Sequence, residues 1–319
     1  MTPPETVRAI AAPSYDALPP ALLDELSAAG LDPATVHASV VAAVAEDLPG
    51  GVDVTSWSTI PADQVETADL VARAPGTLAG LAVAELVFRH VLGAEVEVVR
   101  GAADGEAVVR GDVVLTVTGA TALLLTAERT ALNYLGHLSG IATATAAWVA
   151  ALDGTGARVR DTRKTVPHLR SLAKYAVRAG GGLNHRRDLS DQGLVKDNHV
   201  LAAGGVVDAY ALVRSAHPDL PVQVEVTTLE QLVDLVERTD CTDVLLDNMD
   251  VDTTAEAVRL NREAAARAGR APARLEASGG LDLAAARAVG ETGVDLLAVG
   301  ALTHSAPVLD IAMDLRAPA

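Results

Sequence analysis

Apolar and polar positions follow a repeating strand–helix order in the second half of the chain. Helical stretches with apolar residues every three or four positions, such as "TLEQLVDLVERT", "DTTAEAVRLNREAAARA" and "DLAAARAVGETG", separate short apolar runs. The runs are "ARVRDTRK", "GLVKDNH", "VQVEVT", "DVLLDN", "RLEASGG" and "LLAVGAL". Repeated strand–helix units give parallel strands with right-handed crossovers, so the pattern predicts an α/β fold. The sequence lacks a Gly-x-Gly-x-x-Gly fingerprint, which favours a barrel, complete or incomplete, over a doubly wound sheet.

In the first 120 residues, helical patterns are mixed with short strand patterns and do not alternate regularly with them. "LLDELSAAGLDPATVHASVVAAVAEDLP" predicts two helices broken at residues 30–33, and "AVAELVFRHVLG" predicts an amphipathic helix that Gly93 closes. "ADLVARAPGTLAG" indicates a strand and a turn, while "EVEVVR" and "DVVLTVTG" indicate two strands joined by a Gly/Asp turn. Helices beside a short sheet suggest a small α+β domain.

A long helical pattern follows at residues 121–152. Arg129, Asn133 and His137 are four residues apart and therefore share one helical face. From the spacing alone, the favoured interpretation of this face is a solvated surface.

Composition limits the class of protein. The chain has 319 residues, of which 50% are hydrophobic, which suits two domains or a barrel with an addition. No apolar run reaches the roughly 18 residues that span a bilayer. The single cysteine, Cys241, excludes an intrachain disulfide, fits a cytoplasmic location and is interpreted as a small buried residue. Residues 1–20 carry no basic start, so we expect a disordered tail and no secretory signal.

Charge points to a local anion site. A net charge of -17 repels nucleic acids and anionic membranes at long range, so neither is an expected partner. Ten of the 25 Lys and Arg residues nevertheless lie between Arg158 and Lys196. Acidic residues are scarce in that segment, which weakens the ordinary interpretation of a charge run as a solvated face.

Polar residues and glycines follow each of the six predicted strands. In a parallel barrel the carboxyl ends of the strands form the active face, so these residues should converge there. Any one of them could instead be a helix cap or a turn residue. In chain order they are Thr162, Arg163 and Lys164; Lys196, Asp197, Asn198 and His199; Glu225; Asp247 and Asn248; Ser278, Gly279 and Gly280; Gly300 and Ala301.

The predicted face has a cationic side and an acidic side. Arg163 can hold a carboxylate through two parallel hydrogen bonds, whereas lysine acts as a point charge. Glu225 and Asp247 are hard oxygen ligands suited to Mg²⁺ that also binds a ligand's phosphates. The glycines offer backbone N–H groups to a phosphate, although a tight turn explains them equally well. The loop "RAGGGLNHRR" adds His185 and Arg186, with ligand and structural roles both open for His185.

Together, these motifs resemble the quinolinate phosphoribosyltransferase family, also called nicotinate-nucleotide pyrophosphorylase. The resemblance runs from about Glu46 to the C-terminus. The matching pieces are "EDLPGGVDVT", "AERTALNYLGHLSGIATAT", "RDTRKTVPHLRSLAKYAVRAGGGLNHR", "LVKDNH", "VEV", "LLDNM", "SGG" and "VGALTHSAP".

The resemblance implies a fold, an activity and an assembly. The expected fold is an N-terminal α/β sandwich at 21–141 and an incomplete TIM-like α/β barrel at 142–303, with a last helix at about 304–319 that returns to the sandwich. The expected reaction, in NAD biosynthesis, converts quinolinate and phosphoribosyl pyrophosphate to nicotinate mononucleotide, CO₂ and pyrophosphate with Mg²⁺. The expected assembly is a homodimer with shared active sites, and a higher oligomer is left open.

The resemblance also implies residue roles. Arg129 would reach quinolinate in the neighbouring subunit's site. The quinolinate carboxylates would be held by Arg163, Arg186, Lys196 and His185, with Thr162 nearby. The catalytic group would be Lys164, between the substrates, with Glu225 and Asp247, which face the ribose and the metal-bound pyrophosphate. The 5′-phosphate end would be bound by Ser278, Gly279, Gly280, Gly300, Ala301 and His304.

The chain departs from the family pattern at the edges of these motifs, where His168 replaces a common glycine and Arg187 and Asp188 add charge. Three alternative functions stay open. Lys164 or Lys196 could be the nucleophile of a Schiff-base aldolase. The chain could also be a non-catalytic dicarboxylate or phosphate sensor, or a same-fold transferase that uses another pyridine-type or pterin-like substrate.

Overall fold

A computed structural model describes residues 10–316, which form two compact units. The first, termed the N-terminal unit, comprises the described part of Met1–Ala144 together with Ser171–Gly180 and the described part of Ala306–Ala319. The second, termed the barrel unit, comprises Thr145–Arg170 and Gly181–Ser305.

Helices of the N-terminal unit follow the predicted pattern. Asp32 accepts a hydrogen bond from the Thr35 N–H and caps the second helix, while Gly93, with φ of +83°, closes the fourth. Thr121–Ala151 forms one continuous helix, as predicted. The helices are α1 Pro20–Ala28, α2 Pro33–Asp47, α3 Val54–Thr59, α4 Leu81–Leu92, α5 Thr121–Ala151 and α6 Arg170–Ala179. α5 continues past Ala144, so its last residues belong to the barrel unit.

Strands of the N-terminal unit form two separate antiparallel sheets. They are β1 Val65–Ala72, β2 Gly76–Thr77, β3 Glu97–Arg100, β4 Ala107–Val108 and β5 Val113–Ala120. β5 pairs with both β1 and β3, while β2 pairs only with β4. α4 is almost wholly buried in this unit, including Phe88, the chain's single phenylalanine.

Six parallel strands form the sheet of the barrel unit. All six predicted runs are confirmed as strands: β6 Arg158–Arg160, β7 Gly193–Val195, β8 Val222–Val226, β9 Asp243–Asp247, β10 Arg274–Ser278 and β11 Leu296–Ala298. Their order is β6-β11-β10-β9-β8-β7, and every pairing is parallel. The helices that follow β7 to β11 are α7 Asp197–Ala203, α8 Val206–Ala216, α9 Leu229–Arg238, α10 Val251–Arg267, α11 Ala286–Glu291 and α12 Ala301–His304. This arrangement confirms the predicted combination of an incomplete α/β barrel and a sandwich.

The end of the chain corrects one expectation. A helix was expected at about 304–319, but among the described residues of this range only His304, the last residue of α12, is helical, and Ile311–Leu315 forms a strand, β12. β12 pairs antiparallel with β1, Ile311 opposite Ala72 and Leu315 opposite Ala68. The open edge of β1 offers main-chain partners, and the alternation of Ile311, Met313 and Leu315 with Ala312 and Asp314 has the period of a strand.

The expectation of a disordered tail at 1–20 is wrong for residues 10–20. Residues 1–9 lie outside the described part of the chain. The Ala11 and Ala12 N–H groups donate to the carbonyls of Val91 and His90, 2.9 and 3.0 Å away, at the end of α4. A turn of 3₁₀ helix follows at Tyr15–Ala17, and Leu18 is buried. The last carbonyl groups of a helix have no N–H partner within the helix, and this segment supplies two of the missing donors for α4.

The burial of Cys241 agrees with the sequence. Cys241 is fully buried, which raises the pKa of its thiol to about 11.

Within residues 10–316, no individual helix is both long and apolar enough to cross a membrane. The sharply bent pair α1 and α2 is long and apolar enough when the two helices are taken together, by length and composition alone.

Candidate functional site

Strand ends of the barrel unit surround a cavity of about 520 Å³, termed the mouth. Leu194 and Leu245 contribute apolar surface between the polar groups. The predicted site residues that line the mouth are Thr162, Arg163, Lys164, His185, Arg186, Lys196, Glu225, Asp247, Asn248, Ser278, Gly279 and Gly280. Because parallel strands end at one edge of a sheet, side chains far apart in sequence converge here.

Two guanidinium groups form the cationic side of the mouth. The Arg163 Nε is buried and has no hydrogen-bond partner among the described residues. Burial, and then repulsion from Arg163, lower the pKa of Arg186, whose Nη1 donates to the Gln192 carbonyl 3.0 Å away. Two desolvated like charges are unfavourable without a counter-ion, so this side is suited to a ligand with more than one negative group.

His185 lies beneath the cationic side and is 7% exposed. Its backbone N–H donates to Asp161 Oδ1 at 2.7 Å. Its Nδ1 accepts from the Arg186 N–H at 2.6 Å, and its Nε2 lies 3.0 Å from Gln223 Oε1. Both ring nitrogens therefore have partners inside the protein.

Lys196 joins the cationic side to the acidic side. It caps the N-terminus of α7, where its N–H donates to His199 Nδ1 at 2.9 Å, and its Nζ lies 2.5 Å from Glu225 Oε2. Asp247 Oδ2 accepts from Asn248 Nδ2 at 2.7 Å. The acidic side thus carries one carboxylate that is ion-paired within the protein and a second that is hydrogen-bonded to an amide.

Glycines shape the remaining wall. Gly279 has φ of +88°, and a Cβ there would lie 2.3 Å from Asn248 Oδ1, so only glycine fits. Gly300 does not line the mouth, but a Cβ there would lie 3.0 Å from Lys164 Cδ and 3.2 Å from His304 Nε2. Its lack of a side chain therefore provides space for Lys164. The Lys164 carbonyl accepts from Thr303 Oγ1 at 2.8 Å, which ties α12 to this loop.

Arg129 belongs to the N-terminal unit, where it is exposed on α5. Asn133 on the same face is also exposed, and His137 is half-buried, with a pKa lowered by burial. A role for Arg129 in a partner's site stays a prediction.

A divalent cation fits the mouth only if a ligand shares it. Within residues 10–316, no group of three His, Cys, Asp or Glu side chains could hold a metal ion. Glu225 is engaged by Lys196, which leaves Asp247 as the less encumbered carboxylate. Mg²⁺ commonly binds one or two carboxylates plus substrate phosphates, which matches this pair better than a cage made by the protein alone.

Sequence reasoning missed three polar residues inside the barrel. Arg160, Gln223 and Glu276 are at most 7% exposed, and Arg160 forms an ion pair with Glu276. A usable signal existed in "VQVEV", because Gln223 and Glu225 lie two apart in a strand and share one face. A polar residue on the inner face of a buried strand needs a partner, and the partner lies on a distant strand.

Comparisons with known proteins identify the family. The model of the quinolinate phosphoribosyl transferase C-terminal domain matches residues 141–314, and that of the N-terminal domain matches residues 53–139. The chain is 52% identical over 276 residues to the nicotinate-nucleotide pyrophosphorylase [carboxylating] of Mycobacterium leprae, covering 86% of this chain and 94% of that protein. It is 40% identical over 275 residues to a probable nicotinate-nucleotide pyrophosphorylase [carboxylating] of Synechocystis, covering 85% and 90%.

Solved structures agree. The nicotinate-nucleotide pyrophosphorylase from Francisella tularensis is similar with a TM-score of 0.82 and 33% identity, over 88% of this chain and 96% of that one. NadC from Streptococcus pyogenes gives a TM-score of 0.81 and 37% identity, over 94% and 98%. Matched in both domains and along most of its length, the chain belongs to the quinolinate phosphoribosyltransferase family.

Proposed function

We propose that this protein transfers the phosphoribosyl group of phosphoribosyl pyrophosphate to quinolinate, with decarboxylation, to give nicotinate mononucleotide, CO₂ and pyrophosphate. It is a pentosyltransferase of NAD biosynthesis. The observation that carries the proposal is the division of one mouth into paired guanidiniums, Arg163 and Arg186, and facing carboxylates, Glu225 and Asp247. Family membership supplies the reaction, and this division matches its two substrates.

Quinolinate occupies the cationic side. The unpartnered Nε of Arg163, Arg186 and the Lys196 ammonium bind its two carboxylates, with Thr162 and His185 nearby. Bidentate arginine contacts also fix the plane of the ring. A monocarboxylate such as nicotinate leaves part of this charge unneutralised, so it binds less well.

Phosphoribosyl pyrophosphate occupies the acidic side and the glycine wall. Lys164 lies between the substrates, and the 5′-phosphate is bound by Ser278, Gly279, Gly280, Gly300, Ala301 and His304. Asp247, with Glu225, would hold Mg²⁺ together with the pyrophosphate, where the ion supplies charge neutralisation for the leaving group. This assignment is supported by the lining of the mouth and by the space that Gly300 leaves for Lys164.

Chemistry follows from positioning and charge. The pyridine nitrogen attacks C1 of the ribose, a C–N bond forms, and the C–O bond to pyrophosphate breaks. Positive charge develops on the ribose, where the carboxylates of Asp247 and Glu225 stabilise it. The nitrogen carries no proton, so this step needs no general base. The positive nitrogen of the resulting pyridinium stabilises the electron pair left on C2 when the C2 carboxylate departs as CO₂, and a proton from solvent then adds to C2 to give nicotinate mononucleotide.

Assembly and location are part of the proposal. The protein acts in the cytoplasm as a homodimer in which Arg129 of each subunit completes the other's site. The exposure of Arg129 on α5 supports this assignment because the side chain is available to a second subunit.

One assay tests the function. CO₂ and pyrophosphate release are measured together with quinolinate or nicotinate as acceptor, and strict dependence on quinolinate is expected. Preference for nicotinate, or for another pyridine, would make the chain a same-fold transferase with a different substrate. Quinolinate binding without pyrophosphate release would make it a sensor, and borohydride trapping of a carbonyl compound on Lys164 or Lys196 would indicate an aldolase.

A further inference from the structure

A chain of buried polar groups connects the barrel interior to His185. The Arg160 guanidinium donates to both carboxylate oxygens of Glu276. The Gln223 side-chain amide donates its Nε2–H to Glu276, while its Oε1 faces Arg160 Nη2 at 3.4 Å and His185 Nε2 at 3.0 Å. Because Gln223 Nε2 donates to a carboxylate, its Oε1 is oriented as an acceptor toward His185.

Hydrogen-bond partners determine the protonation of His185. Nδ1 receives the Arg186 N–H, so this nitrogen carries a lone pair. Nε2 faces Gln223 Oε1, an acceptor, so Nε2 carries the proton. The ring is therefore the neutral Nε2–H tautomer, with its proton directed toward the interior network and away from the mouth.

We propose that Glu276, Gln223 and Arg160 are positioning residues that hold His185 in this tautomer, so that His185 orients the backbone of Arg186 for quinolinate and does not itself donate to a substrate carboxylate. This inference rests on the proposed function. It changes the role of His185 from a substrate contact to a support for one.

The polar groups of this network are buried, so each hydrogen bond in it contributes to stability. Gln223 is 1% exposed and Glu276 is 0% exposed, so each group would be costly to leave unpaired. A second hydrogen bond holds His185 from another side, since Asp161 Oδ1 accepts its backbone N–H at 2.7 Å. Ring and main chain are thus fixed independently, and the next residue in the chain is Arg186.

The first experiment uses Gln223→Leu, which removes the acceptor for His185 while keeping a buried side chain. We expect KM for quinolinate to rise about tenfold or more, with KM for phosphoribosyl pyrophosphate changed less than about twofold. Asn261→Leu is the matched control: Asn261 is another buried amide of the barrel unit, bonded to the main chain of Ala273 and absent from the mouth. Asn261→Leu should lower the melting temperature without raising KM for quinolinate relative to KM for phosphoribosyl pyrophosphate.

The second experiment decides which ring nitrogen matters, and it also decides the case if Gln223→Leu does not fold. An asparagine amide oxygen can replace Nδ1 as acceptor, whereas a glutamine amide nitrogen can replace Nε2 as donor. Relative to His185→Ala, we expect His185→Asn to restore quinolinate binding and His185→Gln to restore less. Greater recovery with His185→Gln would overturn the proposal, because it would assign the role to an Nε2 donor.

A spectroscopic measurement gives a readout that a purely structural role would not change. Histidine ¹⁵N shifts in the wild-type protein should show His185 as the Nε2–H tautomer, and Gln223→Leu should produce a mixture of tautomers. A His185 that is Nδ1-protonated in the wild-type protein would contradict the inference. Failure of the underlying function is distinguishable, because the wild-type protein would then show no quinolinate-dependent pyrophosphate release at all.

Discussion

Lys196 Nζ lies 2.5 Å from Glu225 Oε2, so the cationic and acidic sides of the mouth meet in an ion pair. The two partners are unequal, because the Lys196 side chain is 45% exposed and that of Glu225 is 7% exposed. A ligand carboxylate that reaches Lys196 must compete with Glu225 for the ammonium group. We therefore expect Glu225 to weaken ground-state binding of quinolinate at Lys196, while it stabilises the positive charge that would develop on the ribose.

Glu225→Gln should separate binding from turnover. Lys196 loses its internal partner, so we expect KM for quinolinate to fall, while kcat falls about 10- to 100-fold because the developing ribose charge loses a carboxylate. Steady-state kinetics with each substrate varied gives both values. Glu263→Gln, which removes an exposed ion pair with Arg259 on α10, is the control and should leave both unchanged. An increase in KM for quinolinate would contradict the competition between the two carboxylates.

Arg163→Ala should weaken quinolinate binding far more than phosphoribosyl pyrophosphate binding. A buried guanidinium in contact with a carboxylate contributes about 2–3 kcal/mol, which corresponds to a loss of roughly 30- to 150-fold in affinity. Calorimetric titration of each substrate checks this, with Arg158→Ala as the control because Arg158 is exposed at the other end of β6. Equal losses of affinity for both substrates would contradict the assignment of Arg163 to quinolinate binding.

Gly279→Ala and Gly280→Ala should differ although the residues are adjacent. Both glycines have positive φ, which costs alanine about 1–2 kcal/mol. Only at Gly279 does the new Cβ collide with Asn248, whereas at Gly280 it meets open space. We expect Gly279→Ala to raise KM for phosphoribosyl pyrophosphate strongly and Gly280→Ala to have a smaller effect. The same kinetic loss in both variants would mean that strain, and not the Asn248 contact, controls this wall.

Arg129→Ala and Lys196→Ala should complement each other in mixed dimers if sites are shared. Each parent dimer is expected to be inactive. After subunit exchange, one of the two sites in a hybrid carries both wild-type residues, so activity should return to about a quarter of wild type in an equal mixture, by the statistics of two-site symmetric dimers. Exchange is verified by mass spectrometry of differently tagged subunits. Absence of recovery in a verified hybrid would place Arg129 outside the partner's site.

His168→Gly should stabilise the protein. His168 has φ of +65°, a conformation that glycine adopts without strain. Relief of that strain, less the added freedom of the unfolded chain, should raise the free energy of unfolding by about 0.5 kcal/mol. Urea denaturation measures it. His217→Gly is the control: His217 has φ of −137°, so the substitution relieves no strain and should destabilise.

Much of the fold was predictable because the periodicity of buried positions is local information. Each barrel strand appeared as a short apolar run, and α4 ended at Gly93 as its sequence predicted. The strand Ile311–Leu315 was not predicted although its alternation has the period of a strand, because the run is only five residues long and its pairing with β1 joins residues more than 200 positions apart. Most of the polar residues that line the mouth lie at strand ends and could be located from the sequence. Arg160, Gln223 and Glu276 could not, because their hydrogen-bond partners lie on distant strands or loops.

The strand β12 has a consequence for synthesis of the protein. The sheet of the N-terminal unit begins with β1 at Val65 and is completed only by Ile311–Leu315. A ribosome must therefore release the chain as far as Leu315 before the free edge of β1 is covered. Until then that edge exposes main-chain groups to other nascent chains, so a chaperone that shields it during translation would increase the yield of folded enzyme.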